Sequence, residues 1–275
     1  MIKYLLLIVF VVGSACFSLN EKHETQRVEY VFPQKSVVKN LPQGCIASDE
    51  DQLIDFGSSF ENIFLDNFGS TVTLDDELHY GEKIKDEALD QLSLIEDDRT
   101  NKLRLILNKL EASIARKEIP YSIFLVEDEV INAWTHAGGF IYITTGLLNY
   151  VDSEDELAFV IAHEIGHNEN EHCSKAIQRL KTAVGFTGDE TSGTFANNLL
   201  SSVFSSFDQH QELEADLSGL YLAYSAGYDP ERSKDFFDKL SKNEEENVVD
   251  KFLRTHPWSS ERVSCVASYL QNSRK

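Results

Sequence analysis

Basic residues are scarce in this chain. Of its 275 residues, 25 are Lys or Arg and 46 are Asp or Glu, giving a formal net charge of −21. That balance excludes a nucleic-acid partner, because neutralising phosphates takes clustered Lys and Arg and no basic cluster stands out. The four cysteines include no C-x-x-C pair and no Cys/His spacing of the kind that holds a metal through thiolates. No internal repeat is visible. Long apolar runs are missing too: Tyr4 to Val12 spans nine residues, whereas a membrane-crossing helix needs roughly 17–25.

That short run has the marks of a targeting segment. Lys3 supplies a positive start, the apolar run follows, and Gly13-Ser14-Ala15-Cys16 puts small residues at the expected cleavage position. In bacterial lipoproteins a cysteine directly after a small residue at this place becomes the lipidated first residue of the mature chain, so Cys16 is expected to carry a lipid anchor to the membrane. Gly13 stands where leucine is more usual, and ordinary secretory cleavage and an uncleaved anchor are the alternatives. The expected location is the periplasm or the outer membrane, as a lipoprotein, with secretion as the alternative. The chain then divides into a leader over 1–16, an N-terminal extension over 17–80 and one domain over 81–275. Within the extension, Glu21 to Gln52 is polar, holds two of the five prolines and lacks periodicity, which reads as a linker or loosely packed arm.

What is present is a chemical motif. His163-Glu164-Ile165-Gly166-His167 spells H-E-x-x-H inside a helix-periodic stretch. Histidines at i and i+4 share a helical face and can reach one Zn²⁺, while the intervening glutamate stands beside the metal's open position. Ser153 followed by Glu156 reads as a capping box, and Leu157, Val160, Ile161 and Ile165 form an apolar stripe, so the motif is expected inside a buried helix. Mononuclear catalytic zinc takes three protein ligands, and a carboxylate commonly joins two histidines. Glu212 offers it on a second helix with Leu213, Leu217 and Leu220 on its apolar face. Asp216, at i+4 from Glu212, is placed to accept the outer N–H of a ligating histidine.

These residues resemble the M48 zinc metallopeptidases, which carry H-E-x-x-H followed by E-x-x-x-D. The resemblance runs from about Tyr121 to Arg262. It takes in Asn132-Ala133, the stretch Gly138 to Leu147, Ser153 to Ala158, Ala226-Gly227-Tyr228-Asp229-Pro230, and Thr255-His256-Pro257 with Arg262. It is closer to the exported or lipid-anchored bacterial branch and to the mitochondrial inner-membrane enzymes than to members with several membrane spans. The resemblance implies an α+β, mostly helical zincin domain of gluzincin type with a small β-sheet over 81–275, and one Zn²⁺ per chain as cofactor. It also implies endopeptidase activity on misfolded or membrane-associated proteins. His256 and Arg262 match positions where the family places groups near the reacting carbonyl. His256 is expected to stabilise the oxyanion, to occupy the open zinc position at rest, or to act as a cap before Pro257; Arg262 is expected either to contact the transition state or to pair with Asp216.

Helices are expected over Glu82 to Ile95 and Arg99 to Arg116, and strands over Tyr121 to Val126 and Phe140 to Thr144. The second strand, Phe140, Ile141, Tyr142, Ile143 and Thr144, is expected to line the cleft and bind substrate by strand addition, the alternative being a central, fully paired strand. Gly185 to Phe207 reads as a lid or as a plain connector. Rotated from the zinc face, His172 is expected as a supporting or packing residue. His136 is expected in a loop, with a substrate contact as the alternative, His210 as structural, and Glu214 and Glu244-Glu245-Glu246 as solvated charges. Excluding Cys16, three cysteines allow at most one disulfide, expected between Cys173 and Cys265, with three buried thiols as the alternative. The expected partners are protein or peptide substrates. A binding protein or chaperone with little hydrolysis is the competing reading, and the intact Glu164 speaks for hydrolysis.

Overall fold

A computed structural model of the protein describes residues 28–42, 45, 69–187, 207–243, 255–256 and 260–275. Helix α1 (Leu74–Leu89) starts at Thr73, whose side chain accepts from the Asp76 N–H while Asp76 reaches back to the Thr73 backbone. The helix therefore begins and ends earlier than its apolar spacing predicts. Leu94–Ile95 leaves the helical pattern to form strand β1. Asp97 caps α2 (Asp98–Leu110), which passes into a short 3₁₀ turn over Glu111–Ser113, so the helix expected as far as Arg116 stops short of it. Arg116 instead donates to the Asn168 carbonyl at 2.6 Å and pairs with the buried Glu77.

A four-stranded sheet follows, built from β1, β2 (Ser122–Val126), β3 (Ala133–His136) and β4 (Phe140–Thr144) in the order β1-β2-β4-β3. Strand β4 runs parallel to β2 and antiparallel to β3. The turn between β3 and β4 needs positive φ at Gly138 (84°) and Gly139 (80°), the region open to glycine at little cost. Phe140–Thr144 is thus central, with both backbone edges taken, and the expectation that it lines the cleft as an edge strand is corrected: the edge position belongs to β3.

Helix α3 (Thr145–Tyr150) leads into α4 (Glu154–Glu169), the helix of the H-E-x-x-H motif. Ser153 caps α4 by accepting from the Glu156 N–H at 3.2 Å. The return half of the expected box is replaced, for Glu156 accepts from Asp152 N–H and pairs with Lys239. Among the described residues four further helices follow: α5 (His172–Thr187), α6 (Gln209–Ser225), α7 (Arg232–Asn243) and α8 (Ser260–Ser273). The architecture is α+β, as the resemblance implies, with α4 buried between the sheet and the helices behind it. Leu213, Leu217 and Leu220 of α6 are buried in the main core, each burial contributing about 1.5–3 kcal/mol. No helix among the described residues is long and apolar enough to cross a membrane.

The N-terminal segment is not a loose arm where it is described. Tyr30 bridges to Arg274, Val31 N–H donates to the Ser273 carbonyl at 2.7 Å, and Val38 N–H donates to Asn170 Oδ1 at 2.7 Å, at the C-terminus of α4. Tyr30 and Phe32 pack with Tyr224 and Tyr269, apolar rings that only a tertiary partner could bury. The expected disulfide partner is corrected likewise: Cys45 joins Cys265, and Cys173 is a buried free thiol. Cys173 sits at the start of α5 among Ile84, Ala137 and Ile177, away from α8. The leader, Cys16 and the Glu244 to Glu246 run lie outside the described residues, as does most of the Gly185 to Phe207 connector; α5 continues through Gly185 to Thr187.

Because the Cys45–Cys265 bridge closes a span of 220 residues, Cys45→Ala should lower the unfolding free energy by about 2–5 kcal/mol in denaturant titrations. An unchanged midpoint would show that the strap is held by packing alone.

Candidate active site

The motif's two histidines reach one point because α4 is helical, and Glu212 meets them because α6 crosses α4 at close range. Gly166 makes that crossing possible: a Cβ there would stand 2.8 Å from the Ala215 carbonyl oxygen. Capped by Asp208 with Gln211 in reciprocal bonding, α6 begins just before Glu212. Ligand-capable atoms of His163, His167, Glu212 and His256 lie within 4.8 Å of one another, all buried. His163 Nε2 is 3.1 Å from His167 Nε2 and 3.5 Å from Glu212 Oε2, and His167 Nε2 is 3.4 Å from Glu212 Oε1.

The sequence places Asp216 behind a ligating histidine, and the structure has it 2.9 Å from His163 Nδ1. Arg262 Nε and Nη2 each donate to Asp216 at 2.8 Å, and Nη1 lies 2.7 Å from Glu212 Oε2. Arg262 therefore braces the carboxylates, as the ion-pair expectation has it. Burial opposes charge on His163, yet Asp216 and Glu212 outweigh it and push its pKa up to about 10. For His167 burial wins and drives the pKa well down. Burial likewise disfavours the Glu212 carboxylate, but Arg262 and His256 hold its pKa well below the usual range.

Glu164 is wholly buried and its pKa is raised by that burial. Neither carboxylate oxygen meets hydrogen-bond geometry; His256 Nε2 is 3.3 Å from Oε1. His256 lies across the site, with Nδ1 3.3 Å from both His163 Nε2 and Glu212 Oε1 and Nε2 3.2 Å from the Ala133 carbonyl of β3. Thr255 anchors it through Asn132 Oδ1 at 3.2 Å. Two buried imidazoles and a carboxylate converging on one point, with a third imidazole adjoining, form the borderline-soft N/O donor set that suits zinc.

Other expectations change. His136 is not in a loop: it lies buried in β3, its Nδ1–H donating to the Ala137 carbonyl at 2.9 Å and its Nε2 accepting from Tyr142 OH at 3.1 Å, and burial lowers its pKa to about 4. Glu214 is not a solvated charge but is paired with His172 at 2.8 Å, with His210 at 3.6 Å. Sequence reasoning also missed Phe207, whose ring stacks on His167 with centroids 3.7 Å apart. No periodicity points to a residue just outside a helix.

A metal-capable centre of two histidines and a glutamate on crossed helices, with a second glutamate beside it, is that of a metallopeptidase of the H-E-x-x-H class. The chain belongs to peptidase family M48, whose profile matches residues 97–269. It is similar to the beta-barrel assembly-enhancing protease of Yersinia pestis, at 31% identity over 237 residues, 78% of this chain and 46% of that one. It is also similar to mitochondrial metalloendopeptidase OMA1 of Arabidopsis thaliana, at 32% over 182 residues, 63% of this chain and 37% of that one. A third relative is metalloprotease LoiP of Escherichia coli, at 30% over 172 residues, 59% of this chain and 67% of that one. The chain spans less than half the length of the first two.

Replacing Arg262 by Met would remove the guanidinium that pairs with the buried carboxylates of Asp216 and Glu212. It should destabilise the protein by about 3–5 kcal/mol in denaturant unfolding. A loss below about 1 kcal/mol, the range of an exposed pair, would show that Arg262 is not the brace.

Proposed function

We propose that this M48 member is a zinc-dependent endopeptidase acting on exported or membrane-associated proteins. The observation that supports it is the convergence of His163, His167 and Glu212 on one point beside the buried Glu164. These three residues would hold one zinc, which would supply Lewis-acid activation of a water and of the scissile carbonyl. Glu164, buried beside the ligands, would take a proton from the attacking water and return it to the leaving amine. Asp216 orients His163, and Arg262 keeps Asp216 and Glu212 in place. An extended substrate pairs with β3, the strand at the sheet's edge, rather than with β4.

His256 is the resting-state cover of the site. Its ring lies between the general base, the ligand cluster and the Ala133 carbonyl, where a substrate carbonyl has to enter. Productive binding therefore requires His256 to move aside. A beta-barrel assembly-enhancing protease among the relatives favours an envelope substrate, and the Cys45–Cys265 disulfide suits an oxidising compartment. The proposed location is the periplasm or outer membrane, anchored by a lipid on Cys16.

Casein digestion by the purified chain should be abolished by phenanthroline and reduced about 10²–10⁴-fold in Glu164→Gln, the range for loss of a general base. Binding of unfolded protein without cleavage in the wild type would favour the chaperone reading instead. His256→Ala should raise basal digestion. A fall of about 10²-fold in kcat with KM unchanged would reassign His256 to the transition state.

A further inference from the structure

The outer side of His167 has a partner of an uncommon kind. Its Nδ1 faces His172 Nδ1 at 3.0 Å, where ligating histidines ordinarily meet a carboxylate or a backbone carbonyl. His172 Nε2 lies 2.8 Å from Glu214 Oε2 on α6. A break in the chain produces this contact. Helix α4 ends at Glu169, Glu171 takes a left-handed conformation (φ 62°), and α5 starts afresh at His172. On one continuous helix His172 would be rotated away from His167. The turn that returns it is strained for a residue with a side chain, and strain of this kind tends to be retained where function holds it.

One arrangement of protons satisfies this chain while His167 Nε2 presents a lone pair to the centre it shares with Glu212. The His167 proton then sits on Nδ1 and is donated to His172 Nδ1, which must accept. His172 carries its own proton on Nε2 and donates it to the Glu214 carboxylate. Phe207 stacks on the His167 ring and closes that face. His163 is held differently, since its Nδ1 meets Asp216 directly and Arg262 neutralises that carboxylate.

We propose that His172 and Glu214 are positioning residues for the metal: a two-link relay that locks His167 in its metal-binding tautomer and lends it the negative charge of Glu214. The proposal rests on the reading of His163, His167 and Glu212 as ligands. Loss of the relay weakens metal retention by a route that loss of packing does not share.

The test is the zinc dissociation constant of the full chain by chelator competition, with melting of the metal-free protein as the measure of folding. His172→Phe keeps the ring volume but removes the acceptor, and should weaken zinc binding about 10–100-fold. His172→Asn, whose side-chain oxygen can replace Nδ1 as acceptor, should recover part of that loss. Glu214→Gln keeps an acceptor and removes the charge, and should weaken binding toward the lower end of that range. Wild-type affinity in His172→Phe and Glu214→Gln, with only a lower metal-free melting temperature, would overturn the assignment. If His172→Phe does not fold, Glu214→Gln decides the matter by itself. A wild-type chain that holds no zinc would overturn the ligand reading beneath the proposal, which is a separate failure.

Discussion

Two imidazoles on one helix and a carboxylate on another can share a point only if the helices cross closely, and the contact of Gly166 with Ala215 sets that distance. Any side chain at position 166 would push α6 outward and carry Glu212 away from His163 and His167. Gly219 adds a milder constraint from the other helix, since a Cβ there would lie 3.1 Å from the His163 backbone nitrogen. Both glycines stand inside helices, where they cost about 0.5–1 kcal/mol relative to alanine. Close approach of the helices is what that cost supports.

Bringing the helices together buries charge. Glu164, Glu212 and Asp216 are each fully shielded from solvent, and such carboxylates are tolerated only when paired. Arg262 answers two of them at once, bidentate to Asp216 and singly to Glu212, a geometry that a planar guanidinium can make and an ammonium cannot. Neither oxygen of Glu164 is hydrogen-bonded, and among the described residues His256 approaches it at 3.3 Å. The site thus combines a compensated ligand set with one under-bonded carboxylate, and burial raises the proton affinity of Glu164 while Arg262 and His256 hold that of Glu212 down.

Arg262 depends in turn on α8 being in place. Three residues further along that helix Cys265 is bonded to Cys45, and the end of α8 pairs with the N-terminal strap through Tyr30, Val31 and Arg274. The strap also meets the C-terminus of α4 at Asn170. A segment with no periodicity of its own therefore clamps both the helix that carries the motif and the helix that carries its brace.

Local spacing made part of this legible in advance. Along a helix i and i+4 share a face, so His163 with His167 and Glu212 with Asp216 were readable as pairs from their positions alone. The α+β class and the family followed from motifs in order along the chain. Spacing carries no information across a break or through space. The strained turn at Glu171 ends the helical projection, so His172 was legible as a supporting or packing residue, but neither its contact with His167 nor the Glu214 pairing behind it was. The continuous, mostly apolar run of Phe140 to Thr144 suits a buried strand without naming its neighbours, and only its pairing with both β2 and β3 placed it inside the sheet. Cys265 found its partner 220 residues away because a strap of aromatic residues packs on α6 and α8, a contact between surfaces that exist only once the chain has folded.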